Sequence, residues 1–434
     1  MAEKRTRIVV LGGGFGGLTF CRSFRLPDTD VILVDRQNHH LFQPLLYQVA
    51  TAGLSASEIA QPIRSILRDK PNVRVHLGEV ESLRPTERLV LGNGRTLEYD
   101  YLIVALGGQT GYFGHPEWEA FAPGLKSLED AQRIRRDVLL AFERAENSEE
   151  PVEQQRLMTV VVVGGGPTGV ELAGAFAELA RHVLNRDFRK IDPTRARIVL
   201  VEGAARLLGA FPQHLADDAA DTLQKMGVEV RCGLRVRDIR SGVVEFHSGE
   251  RIEAGNILWA AGVNASPLTR DLGAPLDRTG RVLVNPDLSV PGHPEIFVIG
   301  DAAAIADASG QFVPGVSPAA MQQATHVARQ LEDEIAGRPN RRPFRYWNKG
   351  SMATIGRSAA IAKIGPLEFS GYPAWLAWLF VHLVFLVGLR NRIAVLGQWF
   401  YSYVMYRRGA RIITGKALRT GTLRGPPPSW RGFP

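Results

Sequence analysis

Two copies of one glycine pattern constrain this sequence more than any other feature does. In the first copy, the apolar run RIVVL at residues 7–11 leads into GGGFGGL, with glycines at positions 12, 14 and 17. Gly12 permits a sharp turn from strand to helix, Gly14 lets a pyrophosphate approach the backbone, and Gly17 allows close helix packing. Asp35 ends the next apolar run, DVILVD, where an acid can accept hydrogen bonds from a ribose. The first 35 residues therefore predict a dinucleotide-binding fold, with the pyrophosphate at a helix N-terminus.

The same pattern recurs after the run TVVVV at residues 159–163, with glycines at positions 164, 166 and 169. The following run, RIVLVE, ends at Glu202, and its long spacing from the glycines predicts an insertion at residues 181–195. A carboxylate at this position favours a free 2′-hydroxyl over a 2′-phosphate. The second fold therefore predicts NADH rather than NADPH, unless Glu202 is an ordinary acid at a strand end.

Length, cysteines and charge narrow the class of protein. A chain of 434 residues is expected to form two or three domains, and strands that alternate with helices predict an α/β fold. Cys21 and Cys232 form no CxxC pair, and the histidines show no metal-ligand spacing, so we expect neither a disulfide scaffold nor a metal site. Residues 390–434 hold nine Lys or Arg and no acid, so the net charge of +8 belongs to this end. That placement favours anionic lipid over nucleic acid as a partner.

Three further runs complete an ordered set. YDYLIVALGGQT at 99–110 and GNILWAAGVNAS at 255–266 are each typical of a strand that enters a turn of small residues, and PEIFVIGDAA at 294–303 contains Gly300-Asp301. From residue 7 to residue 335, this order resembles the flavin-dependent pyridine nucleotide oxidoreductases with two dinucleotide folds. The resemblance implies FAD in the first fold, NADH in the second, and Asp301 on the flavin ribityl chain, a role compatible with capping the next helix.

Longer matches indicate the electron acceptor. HHLFQPLLYQVATAGLS at 39–55, GGPTGVELAGAFAE at 165–178, KGSMATIGR at 349–357 and WLFVHLVFLVGLRNR at 378–392 resemble the type II NADH dehydrogenases, the single-subunit NADH:quinone oxidoreductases that do not pump protons. This resemblance implies hydride transfer from NADH to FAD and then two electrons to a membrane quinone, either ubiquinone or menaquinone. A soluble NADH-dependent reductase of a protein acceptor and an NADH-sensing flavoprotein stay open as alternatives.

The apolar run at residues 373–389 is too short to cross a bilayer, since a span needs about 20 residues. A second run, at 393–406, is rich in aromatic residues, which favour the membrane interface. Because the flavin fold is complete without these runs, we expect them to have no core to join and to lie on the membrane. A true span and a buried helix are the alternatives. We therefore expect residues 372–415 to bind lipid at the cytoplasmic face of a bacterial inner membrane.

These expectations divide the chain into two Rossmann-like domains and a membrane-anchoring amphipathic helical segment. The FAD-binding domain comprises residues 1–115 and 270–340, and the NADH-binding domain comprises 116–269. Residues 341–415 form the membrane-anchoring segment, and the basic, Pro-rich residues 416–434 form a tail without regular structure. The sequence leaves the oligomeric state open, a homodimer included.

Two side chains are the expected catalytic residues. Glu171 lies in the first turn of the helix after the second glycine loop, where the helix dipole favours an acid. The resemblance implies that it faces the nicotinamide and relays a proton or orients NADH. Gln322 lies in a helix expected to start with Ser317 as its N-cap and to stop at Gly337, and the resemblance implies that its amide meets a quinone carbonyl. Pro318 replaces the first glutamine of the family pattern AQxAxQ, so only one glutamine is left for this role.

The remaining site residues follow from the loops and the resemblance. The plain alternatives are an acid that only stabilises the helix dipole for Glu171, a helix-surface amide for Gln322 and a solvated lysine for Lys349. The expected FAD-binding residues are Gly12, Gly14, Phe15, Gly16, Gly17, Asp35, Arg36, Gln43, Val80, Ala105, Gly107 and Asp301. The expected NADH-binding residues are Gly164, Gly166, Pro167, Thr168, Gly169, Glu171, Glu202, Ala261 and Gly262. The expected quinone-binding residues are Ala320, Met321, Gln322 and Lys349.

Overall fold

The computed structural model describes residues 5–92, 94–307, 310–338, 340–405 and 410–413, so the expected tail at 416–434 lies outside the described residues. Strands and helices are numbered in chain order. The strands up to residue 110 are β1 (Arg7–Leu11), β2 (Asp30–Asp35), β3 (His39–Leu41), β4 (Ala60–Pro62), β5 (Val73–Leu77), β6 (Ser82–Arg84), β7 (Leu89–Gly92), β8 (Arg95–Glu98), β9 (Tyr101–Val104) and β10 (Gly108–Thr110). Those that follow are β11 (Thr159–Val163), β12 (Arg197–Glu202), β13 (Val228–Cys232), β14 (Val236–Arg240), β15 (Val243–Phe246), β16 (Arg251–Glu253), β17 (Asn256–Trp259), β18 (Val263–Ala265), β19 (Val282–Leu283), β20 (Ser289–Val290), β21 (His293–Val298), β22 (Ala303–Ala304), β23 (Ser351–Thr354), β24 (Ala360–Ile364) and β25 (Leu367–Ser370).

Eleven α-helices are described among these residues. They are α1 (Phe15–Ser23), α2 (Leu46–Ala50), α3 (Ala56–Ile59), α4 (Ile63–Ile66), α5 (Leu128–Asn147), α6 (Pro151–Leu157), α7 (Pro167–Glu178), α8 (Gln213–Lys225), α9 (Ser317–Ile335), α10 (Gly371–Phe385) and α11 (Leu389–Met405). The helix expected to have Ser317 as its N-cap has Val316 in that position instead, one residue earlier, with Pro318 still in the first turn.

The first glycine loop belongs to a six-stranded sheet with the order β20-β21-β9-β1-β2-β5. Every pairing is parallel except that of β20 with β21. Strand β1 carries consecutive apolar residues that are all buried from Ile8 to Leu11, as expected for a parallel strand covered on both faces. Because α1 follows β1 directly, the carboxyl ends of the central strands and the N-terminus of α1 meet at one edge of this sheet.

The second glycine loop belongs to a four-stranded parallel sheet with the order β13-β12-β11-β17. All five residues of β11 are buried. Between α7 and β12, the expected insertion is an irregular helical stretch that includes a π-helical turn at Leu179–Val183. The Glu146 carboxylate at the end of α5 accepts the backbone N–H groups of Arg189, Lys190 and Ile191 and holds this stretch in place.

The third unit consists of the antiparallel sheet β23-β24-β25 followed by α10 and α11. Strand β23 packs against α7, and α10 packs against β24. Trp378 and Trp399 are only 1% and 4% exposed and belong to the same apolar core as α2, α5 and α7. The expectation that this segment has no core to join is therefore wrong: one face of each helix completes the core of the protein.

The opposite face of both helices is exposed and apolar. Phe380 on α10 and Phe400 on α11 are 69% and 71% exposed. Both belong to a set of large exposed side chains. Within each helix these side chains recur every three or four residues, so they share one face of that helix. We call this set the apolar row; its members are Tyr372, Leu376, Phe380, Val384, Leu389, Ile393, Leu396 and Phe400. No helix among the described residues combines the length and the apolarity needed to cross a bilayer.

Candidate functional site

The first glycine loop has the geometry of a dinucleotide cradle. Gly12 has φ +97°, and a β-carbon built there would lie 2.4 Å from the carbonyl oxygen of Ala105. A β-carbon at Gly17 would lie 1.9 Å from the carbonyl oxygen of Gly12, which only glycine avoids. A β-carbon at Gly14 would meet nothing within 4 Å. The turn and the helix packing thus exclude side chains, while the backbone at Gly14 faces open space where a pyrophosphate would bind.

The second glycine loop repeats this geometry. Gly164 has φ +115°, and its β-carbon would lie 2.6 Å from the carbonyl carbon of Ala260. A β-carbon at Gly169 would lie 1.8 Å from the carbonyl oxygen of Gly164, whereas one at Gly166 would meet nothing within 4 Å. Pro167 and Thr168 are exposed at the start of α7. One chain therefore carries two matched cradles, each at the N-terminus of a helix whose positive end favours a pyrophosphate.

Both predicted ribose-binding acids are fixed by backbone N–H groups. Asp35 accepts the N–H of Gly13 at 2.5 Å and that of Gln37 at 2.6 Å. Glu202 accepts the N–H of Gly165 at 2.6 Å and that of Ala204 at 2.7 Å. Each carboxylate is therefore held beside its own glycine loop in the same way. A fixed carboxylate keeps lone pairs for ribose hydroxyls and repels a 2′-phosphate.

Asp301 lies at the other end of the first cradle, among small residues. A β-carbon at Gly315 would lie 3.2 Å from its carboxylate, and one at Gly108 would lie 3.4 Å from its β-carbon. The N–H of Gly300 donates to Oε1 of the buried Gln323 at 2.6 Å, which fixes the turn that carries Asp301. Sequence reasoning singled out the neighbouring Gln322 and missed Gln323, because only the helix rotation distinguishes the two.

Lys126 is a second residue that sequence reasoning missed. Its backbone carbonyl accepts a hydrogen bond from Nε2 of Gln43 at 3.3 Å. Burial lowers the pKa of the Lys126 ammonium group, and the Asp301 carboxylate partly offsets this effect. The structure thereby brings Gln43, Lys126 and Asp301 to one side of the first cradle. Lys126 precedes the N-cap of α5, where no sequence pattern indicates a site.

The other predicted FAD residues surround the first loop. The Phe15 ring packs edge-on against the rings of His40 and Phe42, with centroid distances of 5.0 and 5.9 Å. A β-carbon at Gly16 would lie 3.2 Å from the Ile299 side chain. Four further residues lie after the carboxyl ends of sheet strands: Arg36 after β2, Val80 after β5, and Ala105 and Gly107 after β9.

Glu171 is the fifth residue of α7 and lies just past the first turn in which it was expected, because the helix begins at Pro167. Burial raises the pKa of its carboxyl to about 8, and a hydrogen bond from the backbone N–H of Thr354 opposes this rise only in part. The carboxyl is therefore largely protonated at neutral pH. Thr354 belongs to β23 in the third unit and was not predicted, because nothing in the sequence indicates that this strand reaches α7.

Ala261 and Gly262 follow β17 at the carboxyl edge of the second sheet. Gly262 has φ +78°, and a β-carbon there would lie 2.6 Å from the carbonyl oxygen of Gly111. The Trp259 indole N–H donates to that same oxygen at 2.9 Å. This segment connects the two sheets, since β10 pairs with β18 in antiparallel register.

The predicted quinone residues form a cluster with two exposed aromatic side chains. Nε2 of Gln322 donates to the carbonyl of Trp347 at 2.9 Å, and the N–H of Trp347 donates to Oε1 of Gln322 at 2.9 Å. Nζ of Lys349 lies 5.3 Å from the Trp347 ring centroid and 5.6 Å from that of Phe385. The Gln322 amide is thus engaged with the backbone of Trp347 at an exposed position, and a helix-surface amide stays the alternative to a quinone ligand. We call Gln322, Trp347, Lys349 and Phe385 the aromatic mouth.

Ala320 and Met321 lie just before this cluster on α9. A β-carbon at Gly300 would lie 3.4 Å from the Ala320 methyl group, so α9 starts close to the turn that carries Asp301. The aromatic mouth is therefore joined to the first cradle by a single turn of helix.

His382 ties α10 to the segment that carries Gln43. Its ring stacks on Trp378 with a centroid distance of 4.0 Å and meets the edge of Phe42 at 6.3 Å. Burial lowers the pKa of His382 to about 4, so the imidazole is neutral at physiological pH. On α11, the Trp399 indole N–H donates to Oε1 of Gln48 at 2.8 Å. The residues at 39–48 thus line the first cradle and support both C-terminal helices.

Comparison with known proteins agrees with this architecture. The family model described as "Pyridine nucleotide-disulphide oxidoreductase" matches residues 6–324, and the one described as "NDH2 C-terminal domain" matches residues 348–408. A relative from Mycobacterium tuberculosis named "Type II NADH:quinone oxidoreductase Ndh" is 46% identical over 425 residues, covering 95% of this chain and 91% of the relative. A second one from the same organism, "Type II NADH:quinone oxidoreductase NdhA", is 45% identical over 430 residues, with 95% and 90% coverage.

Solved structures share the fold at low identity. The structure of NDH2 from Plasmodium falciparum in complex with NADH aligns with a TM-score of 0.87 at 20% identity, covering 95% of this chain and 100% of that one. The sulfide:quinone oxidoreductase from Aquifex aeolicus aligns with a TM-score of 0.71 at 19% identity, with 92% and 95% coverage. These likenesses establish the fold alone.

Proposed function

This chain belongs to the type II NADH:quinone oxidoreductases, and we propose that it transfers a hydride from NADH to FAD and two electrons onward to a membrane quinone, without pumping protons. The observation that carries the proposal is the pair of matched cradles in one chain. Electrons can pass between two dinucleotides only if one stays bound while the other exchanges. FAD, when bound, accepts the hydride and releases electrons singly or in pairs, so the chain itself needs no nucleophile or metal.

In this proposal the first cradle holds FAD and the second holds NADH. The open backbone at Gly14 and Gly166 binds the two pyrophosphates, and Asp35 and Glu202 bind the adenosine riboses. Asp301, on the turn fixed by Gln323, binds the ribityl chain. Lys126 and Gln43 add a cation and an amide beside it, which suits the polar edge of a flavin.

Glu171 is the proposed proton-handling residue of the hydride-transfer site. A carboxyl whose pKa is raised to about 8 can both donate and accept a proton near neutral pH, as general acid–base groups must. Its position two residues after Gly169, near the N-terminus of α7, brings it next to the second cradle. As a neutral group it also avoids repelling the negative pyrophosphate of NADH.

The aromatic mouth is the proposed quinone entrance. Trp347 and Phe385 offer exposed ring faces to an apolar quinone, and the Lys349 ammonium group lies over both rings. This ammonium group can approach a quinone oxygen when that oxygen becomes negative on reduction. The two rings limit the hydration of the ammonium group. Gln322 contributes by holding the Trp347 backbone, and its second N–H stays available to a quinone carbonyl.

The apolar row is the proposed lipid contact. Large apolar side chains on two neighbouring helices form a patch of the kind that marks membrane sites on soluble enzymes. Arg390 is exposed beside the row at the start of α11, where it can meet anionic headgroups. The enzyme would then lie peripherally on the cytoplasmic face of a bacterial inner membrane and take quinone directly from the bilayer. The choice between ubiquinone and menaquinone stays open, and so does the formation of a homodimer.

An activity assay tests the proposal. Purified protein with bound FAD should oxidise NADH when a short-chain quinone is supplied, and the loss of NADH absorbance measures the rate. Liposomes should raise the rate with a long-chain quinone that does not dissolve in water. If NADH reduces the flavin but neither quinone reoxidises it, a protein-acceptor reductase or an NADH sensor is the better reading.

A further inference from the structure

One face of α7 contacts the hairpin formed by β23 and β24 at three places. Glu171, Gly174 and Glu178 are spaced three and four residues apart, so they share one face of the helix. Their partners follow in the same order along the hairpin: Thr354 at Glu171, Gly356 at Gly174, and Arg357 at Glu178. A strand and turn of the third unit therefore run in register with the helix that carries the proposed proton-handling residue.

Gly174 allows the hairpin to approach the helix. A β-carbon there would lie 2.9 Å from the backbone nitrogen of Gly356, too close for any real side chain. Glycine is the poorest helix former after proline, so its presence inside α7 needs such a reason. On the other side, the Met226 side chain closes over Gly356.

Glu178 occupies a position that is unfavourable for an acid. It is the last residue of α7, where the chain continues into the π-helical turn at Leu179–Val183, and it is only 7% exposed. Burial of a charge requires strong hydrogen bonds in return. The backbone N–H of Arg357 supplies one such bond to its carboxylate.

The segment that Glu178 holds is the strained tip of the hairpin. Gly356 has φ +65°, and Ser358, which is not glycine, has φ +72°. A non-glycine residue in this region costs free energy and persists only when its surroundings enforce it. Holding Arg357, between these two residues, is therefore the most direct way to fix the tip.

We propose that Glu178 is a positioning residue for the hydride-transfer site: it holds the hairpin tip so that β23 keeps Glu171 covered and keeps the Thr354 N–H on its carboxyl. This inference rests on the proposed role of Glu171. Burial by the hairpin and the Thr354 hydrogen bond act on Glu171 in opposite directions, and burial is the larger effect. No charged side chain is a cause of this shift. The titratable groups on α7, on the elements packed against it and on the hairpin are Tyr47, Glu178, Arg181, His182, Arg197, Glu202, His214, Asp217, Asp218, Asp221, Lys225, Glu229, Arg231, Cys232, Arg357 and Lys363. Loosening the tip should therefore hydrate Glu171 and lower its pKa.

The test measures flavin reduction by NADH in the FAD-loaded enzyme, by anaerobic stopped flow from about pH 5 to pH 9, a range that brackets the shifted carboxyl. We expect Glu178→Ala to lower the apparent pKa of this step by about one unit, as partial rehydration does, and to slow it several-fold at neutral pH. Gly174→Ala keeps every hydrogen-bonding group but pushes the tip away, so it should shift the profile in the same direction. Glu178→Gln still offers an amide oxygen to Arg357 and should stay close to the wild-type profile.

Glu146→Ala is the matched control. Glu146 also lies near the end of a helix and holds a loop through backbone N–H groups, but the groups it holds belong to residues 189–191 and not to the hairpin. Its loss should leave the profile in place even if the melting temperature falls. An unchanged profile in both Glu178→Ala and Gly174→Ala overturns the proposal, as does a Glu146→Ala shift of equal size. If Glu178→Ala does not retain flavin, the Gly174→Ala profile decides. Glu171→Gln distinguishes failure of the Glu178 proposal from failure of the role proposed for Glu171. If the rate still titrates without the Glu171 carboxyl, the role proposed for Glu171 is wrong.

Discussion

At the scale of single residues, the protonation of Glu171 controls both stability and chemistry. Its folded-state pKa, raised to about 8, lies above the ordinary value of 4.5. An acid shifted in this direction contributes stability that is complete below about pH 4.5 and is lost as the pH rises through 8. We expect Glu171→Gln to remove this part of the pH dependence of the free energy of unfolding, measured by denaturant titration at several pH values.

The kinetic side of this prediction is separate. In the wild type, the rate of flavin reduction by NADH should titrate near pH 8, and in Glu171→Gln it should be flat over that range. A glutamine that preserves both the rate and its titration would show that another group handles the proton.

Glu202 should determine the choice between NADH and NADPH. Its carboxylate is fixed by two backbone N–H groups, so it cannot turn away from a 2′-phosphate. The exposed Arg235 lies next to this site, with its γ-carbon 3.4 Å from a β-carbon built at Gly203. We expect Glu202→Gln to raise kcat/KM for NADPH about tenfold, the effect of removing roughly 1.4 kcal/mol of repulsion.

The measurement compares steady-state oxidation of both nucleotides. Glu253→Gln, at an exposed position of β16, is the control and should leave the ratio unchanged. If Glu202→Gln lowers the use of both nucleotides equally, the acid binds ribose without discriminating between them.

The residues that sequence reasoning could identify are those whose role depends on the local backbone. Gly12, Gly17 and their counterparts in the second loop must lack side chains wherever a strand turns tightly into a helix, and the pattern alone says so. Lys126, Gln323 and Thr354 could not be found in this way, because each reaches the site through packing between segments far apart in the sequence.

At the scale of secondary-structure elements, α10 and α11 each serve two environments. The double variant Phe380→Ser and Phe400→Ser changes only exposed positions of the apolar row. We expect it to lose most of its binding to anionic liposomes in a flotation assay, while its melting temperature and NADH-driven flavin reduction stay unchanged.

Trp378→Ala provides the contrast on the same helix. This side chain is fully enclosed, so its loss should destabilise the protein by about 3–5 kcal/mol. The comparison uses correctly folded protein of the double variant and of Trp378→Ala. If both lose liposome binding to the same extent, the apolar row has no special role.

The sequence predicted the exposed face of these helices but not the buried one, for a physical reason. Apolar residues surround α10 on nearly every side, so hydrophobic periodicity cannot separate the side that meets protein from the side that meets lipid. Only the partners of the buried side, such as Tyr47 packed against Trp378 at a centroid distance of 6.4 Å, distinguish the two.

At the scale of the whole molecule, the third unit takes part in both cradles. It gives Thr354 to Glu171 beside the second cradle, and it receives Gln48 and Ala60 from the segment beside the first. The fold class and the two cradles followed from local patterns, whereas this linkage depends on long-range packing that no single segment encodes.

Truncation after Ser370 should therefore do more than release the protein from membranes. It would uncover the core contacts of Trp375, Trp378 and Trp399. We expect the truncated chain to lose bound flavin and to unfold at a much lower temperature than the full chain, as followed by flavin fluorescence during heating. A truncated protein that stays flavin-loaded and equally heat-stable would show that the third unit is only an anchor.

The position of the apolar row along the chain has a consequence for biosynthesis. Both dinucleotide folds precede α10 and α11 in the chain, so the ribosome synthesises them before the apolar row. The inner faces of α10 and α11 then complete the core in the same step that presents the outer faces to lipid. A newly made molecule thus exposes the apolar row only when its core is completed. This order shortens the time in which an incompletely folded chain could aggregate with another.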